Sequence, residues 1–137
     1  MANVDANMIK IVFRNLLTNA IKFSNKGSEV FLEATKENNS VKIFIKDQGV
    51  GIAAEDIPLL FDSLTYTKPG TENEKGTGLG LVLCKAFIEK NKGSISVESR
   101  PEQAAHFVLC FLRHSIQLFK RYNPCKQIHY CHIFRLY

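Results

Sequence analysis

The sequence predicts an α+β fold in which helices pack on one face of a mixed, mostly antiparallel sheet. Two stretches carry apolar residues at three- and four-residue steps, others have the apolar alternation of strands, and their order is α, β, β, loop, α, β, β. At 137 residues the chain has the length of one domain. Its 45% apolar and 23% charged composition excludes collagen-like, low-complexity and wholly disordered classes.

The first helix is expected from Asp5 to about Ser24. Ile9, Val12, Phe13, Leu16, Leu17 and Ala20 form its apolar face, Asp5 is a candidate cap, and Asn-Lys-Gly at 25 to 27 is the stop. On a wheel of about 100° per residue, Asn15, Asn19 and Lys22 share a stripe roughly 60° wide beside that apolar face. Such a stripe is equally the solvated side of a helix. Functionally, two carboxamides one turn apart can offer oxygens to a hard cation such as Mg²⁺, with the lysine reaching a phosphate.

A hairpin follows. Val30, Leu32 and Ala34 alternate in one strand and Val41, Ile43 and Ile45 in the next. Asp47 continues the second apolar set by the period of two, so its carboxylate is predicted to point inward where the chain breaks into Gln-Gly-Val-Gly-Ile. This is either a plain strand-to-loop connection or a place where an inward carboxylate accepts a hydrogen bond from an exocyclic amine such as that of adenine. Flanking Gly49 and Gly51 would let a flat ring approach the backbone.

Residues 62 to 78 are polar, glycine-bearing and without period, as in a long loop or lid. Gly76-Thr-Gly-Leu-Gly then leads into a second helix bearing Leu79, Val82, Leu83, Ala86 and Phe87, ended by Asn-Lys-Gly at 91 to 93. Glycines so spaced before a helix are either a flexible linker or a cradle of backbone N–H groups suited to a di- or triphosphate. No strand precedes them, so a Rossmann dinucleotide site is a poor fit. Two more strands are expected at about Ser94–Ser99 and His106–Leu112.

Charge and cysteine narrow the function classes. The formal charge is +5, yet residues 1 to 112 hold 13 Lys and Arg against 13 Asp and Glu, so the excess comes from five basic residues beyond position 112. A balanced domain gives no argument for a nucleic-acid partner. Cys84 and Cys110 lie in apolar runs and Cys125 and Cys131 in the tail, which is no disulfide framework. Cys125, His129, Cys131 and His132 match no ordinary zinc-finger spacing. With no signal sequence and no apolar run of bilayer length, the expected location is the cytoplasm, and any membrane anchor is expected to belong to a longer parent protein.

Taken in order, four motifs resemble those of the catalytic and ATP-binding domain of sensor histidine kinases, within the gyrase, Hsp90, histidine kinase and MutL superfamily. Asn15-Leu-Leu-Thr-Asn-Ala-Ile-Lys-Phe-Ser resembles the N box, Asp47-Gln-Gly-Val-Gly-Ile the first glycine box, Leu60-Phe-Asp-Ser-Leu the F box and Gly76-Thr-Gly-Leu-Gly-Leu the second glycine box. The similarity covers residues 1 to 112 and leaves 113 to 137 outside as a basic, apolar tail. It implies a Bergerat-type two-layer α/β sandwich that binds ATP and Mg²⁺ under a lid.

By that resemblance Asn19 is the principal Mg²⁺ ligand with Asn15 beside it, and Lys22 holds the phosphates. Phe23 faces adenine or ribose, Asp47 takes the adenine amine, and Gly49, Gly51 and Ile52 shape the base pocket. Phe61 anchors the lid, while Gly76, Thr77, Gly78, Leu79 and Gly80 cradle the phosphates. Hydrolytic members of the superfamily place a glutamate where this chain has Asn15, and a carboxamide is no general base. The γ-phosphate is therefore expected to go to an external nucleophile. In histidine kinases this is a histidine of a separate phosphoacceptor hairpin, and a response regulator follows.

None of His106, His114, His129 and His132 lies on a helix resembling that phosphoacceptor site. Ala104-Ala105-His106 stands where the family commonly has a glycine and a small polar residue, and the closing proline after Leu112 is missing. Two other classes use the same pocket: a regulatory nucleotide-binding module or pseudokinase, and an anti-sigma-type serine kinase.

Overall fold

A computed structural model describes residues 5–37, 39–62, 67–71, 76–99, 105–112 and 130–135. Helix α1 runs Ala6–Lys22, and its Asp5 cap accepts from the N–H groups of Asn7 and Met8. Strands β1 (Glu29–Glu37) and β2 (Ser40–Lys46) form the hairpin, a 3₁₀ turn covers Ile57–Leu59, and α2 is Leu79–Lys90. Strands β3 (Gly93–Glu98), β4 (His106–Leu112) and β5 (Tyr130–Arg135) follow.

The sheet order is β3-β4-β2-β1-β5. Every described pairing is antiparallel, from Phe31↔Lys46 in the β1–β2 hairpin to Glu98↔His106 in the outer one. Both helices cover one face. Ile9, Val12, Leu16 and Ala20 of α1 and Cys84 and Ile88 of α2 meet Val30, Val41, Ile43, Ile45 and Phe107 of the sheet in one buried cluster. Val41, Ile43 and Ile45 sit at every second position, so the period of two that marks β2 in the sequence is the core face itself.

Two boundaries differ from expectation. Helix α1 stops at Lys22 with Phe23 as its C-cap, before the Asn-Lys-Gly triplet; Gly27, at φ +81°, turns the chain towards β1 instead. The physical reason is that Phe23 and Ser24 leave the helix to bond elsewhere: Ser24 bridges Gly49, and the Phe23 carbonyl accepts from Val50 N–H at 3.2 Å. Beyond position 112, residues 130–135 pair with Glu29–Ala34 along the other edge of β1.

The far ends of the helices are joined through Asn91, which is buried. Its Oδ1 accepts from Asp5 N–H at 2.6 Å and its Nδ2 donates to the Phe87 carbonyl at 2.7 Å. This pins the start of α1 to the end of α2, so the helices run antiparallel and the start of α2 lies beside the second half of α1.

Candidate functional site

The Asn15, Asn19 and Lys22 stripe is half-buried, flanking the apolar face that fixes the rotation of α1. Asn15 faces the start of α2, since a Cβ added to Gly80 would lie 3.9 Å from Asn15 Cγ. It also hydrogen-bonds the Cys84 thiol, whose pKa burial pushes up to about 11 against a smaller lowering by Asn15.

Lys22 reaches the glycine loop. A Cβ on Gly76 would stand 3.0 Å from Lys22 Nζ, and the same ammonium lies 5.2 Å from the centroid of the Phe23 ring. Gly78 caps α2 at φ +72°, a conformation only glycine adopts freely, and Thr77 Oγ1 accepts from Leu79 N–H at 3.4 Å. Leu79 is exposed.

Asp47 is 4% exposed, as the alternation predicts. Its Oδ1 accepts from Gly49 N–H at 2.8 Å and from Ala105 N–H at 3.2 Å, and Asp47 N–H donates to the Ala105 carbonyl at 3.1 Å. The Ala-Ala departure in the last turn therefore leaves the carboxylate its support, because Ala105 contributes only backbone. Ala104 lies outside the described residues.

Gly49 is required by space: a Cβ there would meet the Phe23 carbonyl oxygen at 2.3 Å and Asp47 Oδ1 at 2.9 Å. Gly51 has φ +72°. Ile52 donates its N–H to Ser99 Oγ at 2.9 Å, and Ile52 and Phe61 are partly buried against the core. Below Phe61, Asp62 accepts from Lys85 Nζ of α2 at 2.7 Å, and this bond raises the Lys85 pKa. Asp56 pairs with Lys68. Ser63 and Leu64 of the F-box stretch lie outside the described residues.

Sequence reasoning did not single out Thr71, Ser99 or the backbone of Ala105. Thr71 donates its N–H to the Lys22 carbonyl at 3.0 Å, and its hydroxyl lies 3.1 Å from the carbonyls of both Lys22 and Ser24. Nothing periodic marks these contacts, which join residues 47 to 58 positions apart. Among the described residues no three His, Cys, Asp or Glu side chains gather as a metal site, and Cys125 and His129 lie outside them. No described helix is long and apolar enough to cross a membrane.

Residues 4–115 match the family model described as histidine kinase-, DNA gyrase B- and HSP90-like ATPase. The chain belongs to this ATPase family. Among curated relatives of this family member, sensor histidine kinase RcsC of Escherichia coli (strain K12) is 37% identical over 108 residues, covering 78% of this chain and 11% of RcsC. Sporulation kinase A of Bacillus subtilis (strain 168) is 37% identical over 109 residues, covering 80% and 17%. The chain thus spans less than a fifth of the length of either relative.

Among solved structures, the catalytic domain of histidine kinase ThkA superposes with a TM-score of 0.69 at 27% identity, covering 80% of this chain and 69% of that one. Full-length ShkA in complex with AMPPNP gives 0.64 at 25% identity, covering 76% and 21%. The fold is that of histidine kinase ATPase domains, with helices on one face of an antiparallel sheet.

Proposed function

We propose that this chain binds MgATP between α1 and the glycine loop before α2, and donates the γ-phosphate to a histidine on a separate phosphoacceptor domain in two-component signalling. The observation that carries this reading is the convergence of the two segments: Gly76 lies against Lys22 Nζ and Gly80 against Asn15. The walls fit a nucleotide. Gly49 lets its turn lie closer to the Phe23 backbone than any side chain would allow, and the buried Asp47 sits beside that contact, where a flat ring's exocyclic amine could meet its carboxylate. Carboxamide oxygens suit Mg²⁺, a hard cation that takes oxygen ligands.

In this reading Asp47 accepts the adenine amine, while Gly49, Gly51 and Ile52 shape the base pocket. Phe23 lies against adenine or ribose. Asn19 and Asn15 hold the metal, Lys22 the phosphates, and Gly76, Thr77, Gly78, Leu79 and Gly80 supply backbone donors at the start of α2. Phe61 anchors the lid. Bound magnesium supplies charge neutralisation on the phosphates. This chain's residues position the γ-phosphate for in-line attack by an imidazole nitrogen: the N–P bond forms, the bond to the β–γ bridging oxygen breaks, and ADP leaves. Asn15 cannot take a proton from water, so hydrolysis is slow.

Residues 1–112 form the catalytic domain and 113–137 an extension of it, working in the cytoplasm with a phosphoacceptor hairpin and a response regulator as partners. The test supplies a phosphoacceptor hairpin in trans with γ-labelled ATP. Label on the hairpin histidine is the expected result. Tight MgATP binding without transfer points instead to a regulatory module, and label on a protein hydroxyl to a serine kinase.

A further inference from the structure

We propose that Thr71 is a positioning residue for Lys22, holding the backbone of the phosphate-contacting lysine from the loop that leads to Gly76. The proposal rests on the nucleotide-binding reading above. An α-helix leaves its last carbonyls without partners inside the helix. In α1 the Asn19 carbonyl accepts from Phe23 N–H and the Ile21 carbonyl from Ser24 N–H, while the Lys22 carbonyl accepts from Thr71 N–H at 3.0 Å. The Thr71 hydroxyl, with one proton to give, lies 3.1 Å from the carbonyls of Lys22 and Ser24 and serves both as a three-centre donor. The next carbonyl, that of Phe23, is taken by Val50. The turn after Lys22 is therefore fastened from two distant segments.

Five positions after Thr71, Gly76 lies beside Lys22 Nζ. Two points of one loop thus address the same lysine, one at its backbone and one at its ammonium. The lysine stem is long and flexible, and its reach to a phosphate depends on where the stem starts. Loss of the hydroxyl frees the Lys22–Ser24 turn and widens the positions the ammonium samples. Asp47 and Gly49 have no direct contact with Thr71 among those described and feel it only through Ser24, which pairs with Gly49, so phosphate-bearing ligands should register the change more than adenosine.

The test measures binding of MgATP and of adenosine to wild type, Thr71→Val and Thr71→Ser by calorimetry or by displacement of a fluorescent analogue. Thr71→Val keeps the N–H and the side-chain shape but loses the hydroxyl. It is expected to weaken MgATP binding by roughly three- to tenfold, the effect of losing one ordinary hydrogen bond, with a clearly smaller loss for adenosine and Thr71→Ser restoring wild-type behaviour. In a Lys22→Met background the valine substitution should have no further effect on MgATP. Unchanged MgATP affinity in Thr71→Val, a parallel loss of adenosine affinity, or an undiminished effect in the Lys22→Met background would each overturn the proposal. A wild-type chain that binds neither ligand overturns the nucleotide reading itself, and this proposal with it.

Discussion

Substituting Gly49 by alanine tests the wall between the first glycine turn and α1. The backbone of Gly49 is not in the left-handed region, so the substitution introduces no φ penalty and its whole effect is steric. The new Cβ would stand 2.3 Å from the Phe23 carbonyl oxygen, whereas ordinary contact begins at 3.4 Å. The difference, 3.4 − 2.3 = 1.1 Å, has to come from separating two backbones, neither of which is the loose end of a side chain. Such a shift breaks the bond from Val50 N–H to the Phe23 carbonyl, at 3.2 Å, and strains that from Gly49 N–H to Asp47 Oδ1, at 2.8 Å. A neutral bond contributes about 1 kcal/mol and one to a charged group about 1.5–3 kcal/mol, so the expected destabilisation is roughly 2–4 kcal/mol. Urea denaturation reads that loss, and titration with adenosine reads the deformed base pocket as weakened binding. A stability change under about 0.5 kcal/mol together with wild-type adenosine affinity would refute the assignment of Gly49 as a sterically required wall of the pocket.

Three further outcomes are expected. Asp47→Asn keeps an oxygen for the N–H groups of Gly49 and Ala105, so the fold should persist while adenosine binding weakens by roughly tenfold or more, as in sites built to bond one polar group; equal affinity would sink the adenine contact. Asn15→Glu should raise basal ATP hydrolysis, measured as phosphate release, and an equally slow variant that still binds MgATP would show that the missing base is not what limits it. Burial pushes the Cys84 thiol from 9.0 up to about 11. The unfolded chain therefore loses that proton first, and the stability from keeping it is full below pH 9 and lost between pH 9 and 11. That loss amounts to roughly 2–3 kcal/mol. It should appear as a difference in the pH slope of stability between wild type and Cys84→Ala, and identical slopes would contradict a buried, protonated thiol.

What the sequence discloses here is periodic or local. The spacing of Ile9, Val12, Leu16 and Ala20 announces α1 and its buried face, and the alternation through Val41, Ile43 and Ile45 carries forward to place Asp47 inside. The end of α1 escapes such reasoning, because what ends the helix at Lys22 is pairing with Gly49, Val50 and Thr71, and Asn25-Lys-Gly is a stronger local stop signal than anything at position 23. Thr71 stands in a polar loop with no period, and its role is visible only once residue 22 lies beside it. Ala105 supports Asp47 through backbone groups that every residue but proline carries, so no side-chain pattern could have marked it. β5 follows a stretch whose apolar residues lack the spacing of either element, and its place beside β1 is a matter of register.

The buried Asn91 makes one end of the helix pair a fixed point from which the other end can be measured. Its bonds to Asp5 and Phe87 hold the two helices at one end, and the groups that would grip the phosphates, Lys22 and Gly76, lie at the other. Helix α1 has 17 residues, so its tip lies ~25 Å from that pivot. Over such a lever a rotation of only about 5° displaces the tip by roughly 2 Å, enough to make or break an ammonium–phosphate contact. The same rotation would move Val12, about 10 Å from the pivot, by roughly 1 Å, and its buried contact of 3.8 Å with Cys84 resists that. Tied at its pivot by Asn91 and at its tip by Val50 and Thr71, a helix pair on a close-packed core holds the phosphate-side groups at a set spacing.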